Sequence, residues 1–348
     1  MLYDKVRDLP FTIGDVTMDV TGVRISEEFE RRTTTVHLRP RMGARYEHDD
    51  GMGEDVTYAA EEHEPHRFPW IDLRGEWTLA SLSRHLDEVD LFPSREPDQP
   101  AYRDYRRWAF ESAALDYALK QNGLNIATAL EREPEPVRFV SSTRAASLDP
   151  WLDLYPDLRF KLDATPQWTD DVVADLAARG VVDVVDLKGQ YHGTVVDNPG
   201  DPELYRRVLE AFTEAWVEDP RLTEETRPLL EPHAARITWD APIHSWADVD
   251  ALPFRPRCLN SKPSRFGTVE RLFEFYDRCE AEGIRLYGGG QFELGVGRGQ
   301  IQVLASLFHA DGPNDVAPGG YNGDPRPGLE TSPLAPNLEP FGFRRGLG

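Results

Sequence analysis

The sequence predicts an α/β protein, a closed barrel of parallel strands preceded by a smaller α+β domain. Three observations point there. From Pro134 onward, short apolar runs alternate with helical stretches, and eight such runs fit before the proline- and glycine-rich end of the chain. Upstream, the pattern is instead one of alternating residues followed by one long amphipathic segment. Strand and helix in strict alternation imply parallel strands joined by crossover helices, and eight of them suggest closure into a barrel.

Taken in order, TMDVTGVRI and RRTTTVHL read as antiparallel strands of a small meander joined by SEEFE. The polar stretch RMGARYEHDDGMGEDVTYAAEEHEPH reads as a long loop around a short strand at Asp55 to Tyr58. It and the turn from Ser26 to Glu30 are candidates for a lid, with Arg45 to Glu54 as its glycine-bearing part. Residues 102–130 carry Trp108, Phe110, Ala113, Ala114, Tyr117 and Ala118 at helical spacing, with Gly123 as a break. The later strands are VRFVSS, LRFKLD, VVDVVDLK, AWVED, RITWD, RCLNSK, RLYGGG and a weak last one near NDVAP. Three units follow: 1–133, 134–322 and a tail at 323–348.

Composition excludes several functions. A net charge of −22 argues against nucleic-acid and anionic-membrane partners. No window reaches the ~18 apolar residues of a membrane span, and MLYDKVRDLP does not resemble a secretory signal, so a cytoplasmic location is expected. Cys258 and Cys279 are too few for a disulfide framework or a zinc cluster. Whether the chain forms a homo-oligomer stays open.

Lysine is scarce: of 39 basic residues only Lys5, Lys120, Lys161, Lys188 and Lys262 are lysine. An amine gives up its proton when buried or set near other cations and a guanidinium does not, so lysines at strand ends are candidates for proton transfer. Barrels of this kind carry their chemistry at the C-terminal ends of the strands. There LRFKLD offers Arg159, Lys161 and Asp163 on one face, because side chains alternate with period two. VVDVVDLK offers Asp186 and Lys188, AWVED Glu218 and Asp219, RITWD Asp240, and RCLNSK Asn260 and Lys262.

Three successive strands thus end in a carboxylate. Such charges need partners, and three converging carboxylates suit Mg²⁺, a hard cation that prefers oxygen. For any one acid the alternative is a surface cap, and for Lys262 an ordinary ion pair. YGGGQFELGVGRG lacks the Lys-Ser/Thr ending of a nucleotide-binding loop, so close packing and substrate contact through Glu293 and Arg298 are expected. His192 and His244 read as loop histidines and His309 as a helix-end histidine.

The order Arg159-x-Lys161, Asp186, Glu218 in VEDP, Asp240 in TWDAP and Lys262 in NSKPSR resembles the enolase superfamily, in particular its muconate-lactonizing-enzyme-like branch. GMGEDVTY, ESAALDYALKQNGL and LETSPL with GFR resemble that family's cap segment, its following helix and its C-terminal return to the cap. The resemblance implies a (β/α)7β TIM-like barrel under an α+β capping domain. It further implies Mg²⁺ on Asp186, Glu218 and Asp240, a small-molecule carboxylate substrate on the metal, and Lys161 and Lys262 as acid and base on opposite faces of its α-carbon. Arg159, Asp163, Lys188, Asn260, Glu293 and Arg298 are the substrate-binding candidates.

Several features depart from the family pattern. Lys188 stands where asparagine is usual, either binding substrate or pairing with Asp163, and Arg159 replaces the first lysine of its strand. The seventh strand lacks the histidine of the mandelate-racemase-like branch and the sixth carries lysine where that branch has aspartate, which disfavours a His–Asp base, and NDVAP lacks the D-x-D of dipeptide epimerases, which disfavours a dipeptide substrate. The expectation is a Mg²⁺-dependent lyase or isomerase that forms an enolate. Cycloisomerisation, epimerisation and dehydration share that step. The alternative is a catalytically silent barrel that binds an anionic small molecule.

Overall fold

The computed structural model describes residues 1–24, 30–40, 50–145, 147–194 and 196–346. The first part holds five strands, β1 (Pro10–Ile13), β2 (Asp15–Arg24), β3 (Glu30–Arg39), β4 (Gly51–Asp55) and β5 (Gly75–Thr78). β1 and β5 form an antiparallel pair, and β2, β3 and β4 form an antiparallel meander in that order. Helices α1 (Leu79–Asp87), α2 (Tyr102–Gln121) and α3 (Ile126–Leu130) follow. Thr78 starts α1 by a capping box with Ser81, and Asn125 caps α3 by accepting from the Thr128 amide. Residues 25–29 and 41–49, most of the expected lid, lie outside the described residues.

The strand expected at Asp55 to Tyr58 lies instead at Gly51–Asp55. Its glycines do not mark a loop; they let the backbone of β4 lie directly on α2. A methyl group on Gly53 would come within 2.1 Å of the Ala109 carbonyl oxygen and 2.3 Å of Ser112 Oγ, and the first of these is helix backbone that cannot swing aside. The strand stops at Asp55 because its Oδ1 turns the chain back, accepting from the Thr57 amide at 2.9 Å and hydroxyl at 2.7 Å. Gly53→Ala should therefore destabilise the protein by about 2 kcal/mol or more, read as a lower urea midpoint. An unchanged midpoint would refute the close-packing role.

The second part alternates as expected: β6 (Val140–Thr143), α4 (Asp149–Leu152), β7 (Arg159–Asp163), α5 (Asp170–Ala178), β8 (Val182–Asp186), α6 (Pro202–Ala211), β9 (Trp216–Glu218), α7 (Arg227–Leu230), β10 (Ile237–Thr238), α8 (Trp246–Asp250), β11 (Cys258–Ser261), α9 (Val269–Glu282), β12 (Arg285–Gly288) and α10 (Val296–Phe308). Strands β6 to β10 make one parallel sheet in chain order, and β11 and β12 a parallel pair. Single backbone bonds continue the series. The Asn260 amide donates to the Trp239 carbonyl at 3.1 Å, the Asp315 amide to Gly288 at 2.7 Å, and the Val140 amide to Asn314 at 2.8 Å. The weak strand near NDVAP is thus reduced to bridges at Asn314 and Asp315, between β12 and β6.

One buried carboxylate does much to tie the two parts together. Glu54, at the end of β4, accepts the amides of Leu294, Gly295 and Gly297 at 2.7, 2.8 and 2.7 Å. The anion-binding amides at the start of α10, in the glycine-rich stretch, are therefore taken by the chain's own acid. Near the C-terminus Gly342 exchanges backbone bonds with Leu124 and Ile126, and Arg344 meets Asp116 of α2 at 2.6 Å. Among the described residues no helix is long and apolar enough to cross a membrane. Both cysteines are free and buried.

Candidate active site

Strand register builds the site. In neighbouring parallel strands residues in register point to the same side, and here Asp163 of β7 is level with Asp186 of β8, which is level with Glu218 of β9. Lys161 shares the face of Asp163 one layer deeper. Past the end of β10 comes Asp240, and past β11 comes Lys262, with Asn260 level with Tyr287 of β12. The turn after β12 packs directly on this last pair. A methyl group on Gly289 would lie 2.9 Å from Asn260 Oδ1 and 2.9 Å from Lys262 Cε, so glycine keeps the space above Lys262 open.

Asp163, Asp186, Glu218 and Asp240 each meet a cation of the chain. Lys161 Nζ lies 2.5 Å from Glu218 Oε1 and 3.5 Å from Asp186 Oδ2. The Lys188 ammonium donates to Asp186 Oδ2 and lies 3.1 Å from Asp163 Oδ1, while its own amide donates to Asp186 Oδ1 at 2.9 Å. Asp240 takes Arg265 on Oδ1 at 2.7 Å, and on Oδ2 it takes Lys262 at 2.8 Å and the Tyr191 hydroxyl at 2.9 Å. The Tyr287 hydroxyl donates to Glu218 Oε2. Asp219 accepts the amides of Asp240 and Ala241, each at 2.9 Å. Asp186, Glu218 and Asp219 bring one oxygen each within 4.8 Å of one another, close enough to hold a metal ion.

The charges follow from burial and these partners. Burial favours neutral lysine, but Glu218 and Asp186 outweigh it and hold Lys161 well above the usual range; Asp163 and Asp186 do the same for Lys188. Burial raises the Asp186 and Asp240 carboxyls, and the cations beside them more than reverse this, so both stay ionised. Glu218 is pushed well above its ordinary value by burial, against the pull of Lys161, with Asp186, Asp240 and Asp219 adding repulsion. Within the Lys161–Glu218 pair the ammonium is the fixed charge, because two carboxylates hold it in place.

Asp219 is raised to about 7, first by burial and then by Asp240 and Asp186. A carboxyl raised in the folded state binds more protons there than in the unfolded chain, so its contribution to stability is full below the ordinary carboxyl range. That contribution falls as the pH rises from about 4 to about 7. Asp186 and Asp240 act with the opposite sign, and a difference measurement separates the two. The stability of Asp219→Asn relative to the parent should climb across that window, by chemical denaturation at each pH. A pH-independent difference would refute the shifted titration.

The structure corrects one candidate. Arg159 begins β7 and Lys161 and Asp163 end it, so Arg159 binds Asp183 Oδ1 at 2.5 Å and the Gly180 carbonyl at 2.7 Å, at the opposite end of the sheet. Glu293 and Arg298 turn to each other at 3.9 Å, Glu293 also accepting the Gln291 amide at 2.9 Å and Arg298 donating to the Ala317 carbonyl at 3.3 Å. His192 and His244 bind Arg221 and the Arg265 carbonyl, and His309 is kept neutral by burial, which lowers it to about 4. Arg265, Tyr191 and Tyr287 were not singled out from the sequence. Arg265 had a signal, since it stands three residues past Lys262 in the same motif. A cavity of about 420 Å³ lined by Arg138, Asp183, Cys258 and Arg285 lies at the strands' N-terminal ends, away from these charges.

Known proteins of similar fold carry related names. The chain matches, over 91% of its length and 92% of the other, a dipeptide epimerase from Methylococcus capsulatus whose crystals held Mg, with a TM-score of 0.64 at 18% identity. It matches the muconate lactonizing enzyme of Pseudomonas putida over 88% of each chain, with a TM-score of 0.61 at 18% identity. By sequence it is 24% identical to an o-succinylbenzoate synthase of Bacillus subtilis over 65% of this chain, and it spans 63% of that relative's length. It is 32% identical to an N-succinylamino acid racemase of Amycolatopsis sp over 49% of this chain and 45% of that one. A protein of Listeria innocua described as a member of the enolase superfamily matches 89% of this chain over 86% of its own, with a TM-score of 0.61 at 17% identity, and these likenesses show a shared fold. It belongs to the family described as domain of unknown function DUF8230, whose N-terminal and C-terminal domains match residues 4–129 and 133–323.

Proposed function

We propose that the protein is a Mg²⁺-dependent lyase or isomerase that removes the proton α to a carboxylate of a small-molecule acid, forming an enolate. The observation that supports this most is the meeting of Asp186, Glu218 and Asp240 with Lys161 and Lys262 at the ends of parallel strands. The donors fit the ion. All are carboxylate oxygens, which Mg²⁺ prefers, and the repulsion that raises Glu218 is relieved by added positive charge. Asp219, not Asp240, is the acid whose oxygen lies within 4.8 Å of those of Asp186 and Glu218, but Asp240 is taken as the third ligand because its partners are side chains that can swing away, whereas both Asp219 oxygens are held by backbone amides. When bound, the ion supplies positive charge to the substrate carboxylate as electrons move onto it from the broken C–H bond.

The chain's own groups do the rest. Lys262 and Lys161 take and return protons on the two sides of the α-carbon, Lys161 only once positive charge added at Glu218 and Asp186 weakens their hold on its ammonium. Both amide atoms of Asn260 are buried without a protein partner, offering a donor and an acceptor beside Lys262. Arg265 and Tyr191 hold Asp240 in place. In this reading the strand series closes into a (β/α)7β barrel at 134–322, capped by 1–133 and by the returning tail at 323–348.

The test is α-proton exchange in deuterated water, followed by NMR across a panel of carboxylic acids that includes N-succinylamino acids and the substrate of an o-succinylbenzoate synthase. The parent should exchange at least one acid. Asp240→Asn should lose exchange and bind Mg²⁺ at least ~100-fold more weakly by calorimetry, since even groups behind the ligands are worth ~10–100-fold, while Asp219→Asn should still bind. Equal Mg²⁺ affinity in Asp240→Asn and the parent would refute the ligand assignment. A silent anion-binding barrel is favoured by one observation, the near-complete enclosure of Lys161. Anion binding without exchange of any acid would select it.

A further inference from the structure

Lys188 sits on one of the carboxylates assigned above to the metal. Its ammonium is on the same Asp186 oxygen that faces Lys161, and its amide holds the other Asp186 oxygen. Asp163, level with Asp186 on the next strand, waits 3.1 Å from the same ammonium. The backbone of Lys188 has φ 54°, a left-handed conformation that a long side chain adopts only when its surroundings hold it there. Five buried or nearly buried carboxylates, Asp163, Asp186, Glu218, Asp219 and Asp240, face Lys161, Lys188, Lys262 and Arg265, and the exposed Arg144 takes the other Asp163 oxygen at 3.1 Å. The site is thus close to neutral through the chain alone.

We infer that Lys188 is a tethered counter-ion for Asp186 that divalent metal displaces, its ammonium moving across to Asp163. The inference rests on the metal-site reading given above. A divalent ion and an ammonium in contact with the same carboxylate oxygen repel strongly, more so with Lys161 already 3.5 Å from it, so the ion binds well once the Lys188 ammonium leaves. Asp163 makes the departure possible by offering a second carboxylate without returning the ammonium to water. Lys188 therefore weakens the site's hold on metal, and it keeps Asp186 paired when metal is absent. Asp163 strengthens that hold by accepting Lys188.

The experiment is Mn²⁺ titration of the full-length protein, followed by electron paramagnetic resonance of the free ion and by calorimetry, with no substrate present. Lys188→Asn is the first variant, since asparagine tolerates the left-handed backbone better than lysine, and Lys188→Gln is the second should the first fold poorly. Both should bind Mn²⁺ at least ~10-fold more tightly than the parent, and their metal-free forms should melt lower, with metal restoring more of the melting temperature than it does in the parent. Asp163→Asn should shift affinity the other way, several-fold weaker, because Lys188 then has only Asp186. Equal or weaker Mn²⁺ binding in both Lys188 variants, with the parent binding, would overturn the inference and leave the metal site standing. Absence of binding in the parent and in every variant would overturn the metal site itself and the inference with it.

Discussion

Lys262→Ala should lower turnover of whichever acid the protein exchanges by roughly 1,000-fold while leaving Mg²⁺ affinity within a few-fold of the parent. The geometry separates the two effects. Lys262 touches the metal ligands only through Asp240, which keeps Arg265 at 2.7 Å and the Tyr191 hydroxyl at 2.9 Å when the lysine is gone. Lys161→Ala should differ, since Lys161 is the close partner of both Glu218 and Asp186 and its loss disturbs metal binding and catalysis together. Arginine sharpens the contrast, because it keeps the charge and cannot act as a base. If Lys262 only steadies the enolate by its charge, Lys262→Arg retains part of the exchange; if it moves the proton, exchange on one face of the α-carbon disappears. The measurement is stereospecific deuterium incorporation in each variant. Full exchange and turnover in both alanine variants would return Lys262 to the ordinary partner of Asp240.

Strand order and the residues at the strand ends were legible because parallel strands with crossover helices repeat one rhythm. That rhythm places Lys161, Asp186, Glu218, Asp240 and Lys262 at one end of the sheet whatever the helices between them contain. What stayed illegible was depth and partnership. Period two puts Arg159, Lys161 and Asp163 on one face but does not say which end of the strand each occupies, and the short β7 sends Arg159 to the far end with Asp183. Pairing of Lys188 with Asp163 was one of two options from the sequence; only the register of β7 against β8 brings the two together. Gly51 and Gly53 looked like loop punctuation because sequence does not reveal that α2 lies against them. Glu54 stood inside the cap-like segment GMGEDVTY, but its role was not legible, since its partners are amides some 240 residues further along the chain.

The second large effect concerns Glu218, whose carboxylate has three roles at once: it pairs with Lys161, accepts from Tyr287 and is assigned to the metal. Glu218→Leu should abolish metal binding and destabilise the metal-free protein by about 3–5 kcal/mol, because it leaves Lys161 buried with Asp186 alone at 3.5 Å. Lys161→Met should be comparably costly for the mirror reason, with Glu218 then crowded by Asp186, Asp219 and Asp240 and no close cation. The double variant removes both charges and fills the space with apolar atoms, and replacing a buried pair in that way is often neutral or better. Its loss of stability should therefore be well below the sum of the single losses, a coupling of several kcal/mol in a double-mutant cycle by urea unfolding. Additive losses would mean that the pair is not the electrostatic unit that its 2.5 Å separation implies. The cycle also separates stability from function. A double variant that folds as well as the parent, binds no Mg²⁺ and exchanges no proton shows that these two charges are retained for the reaction and not for the fold.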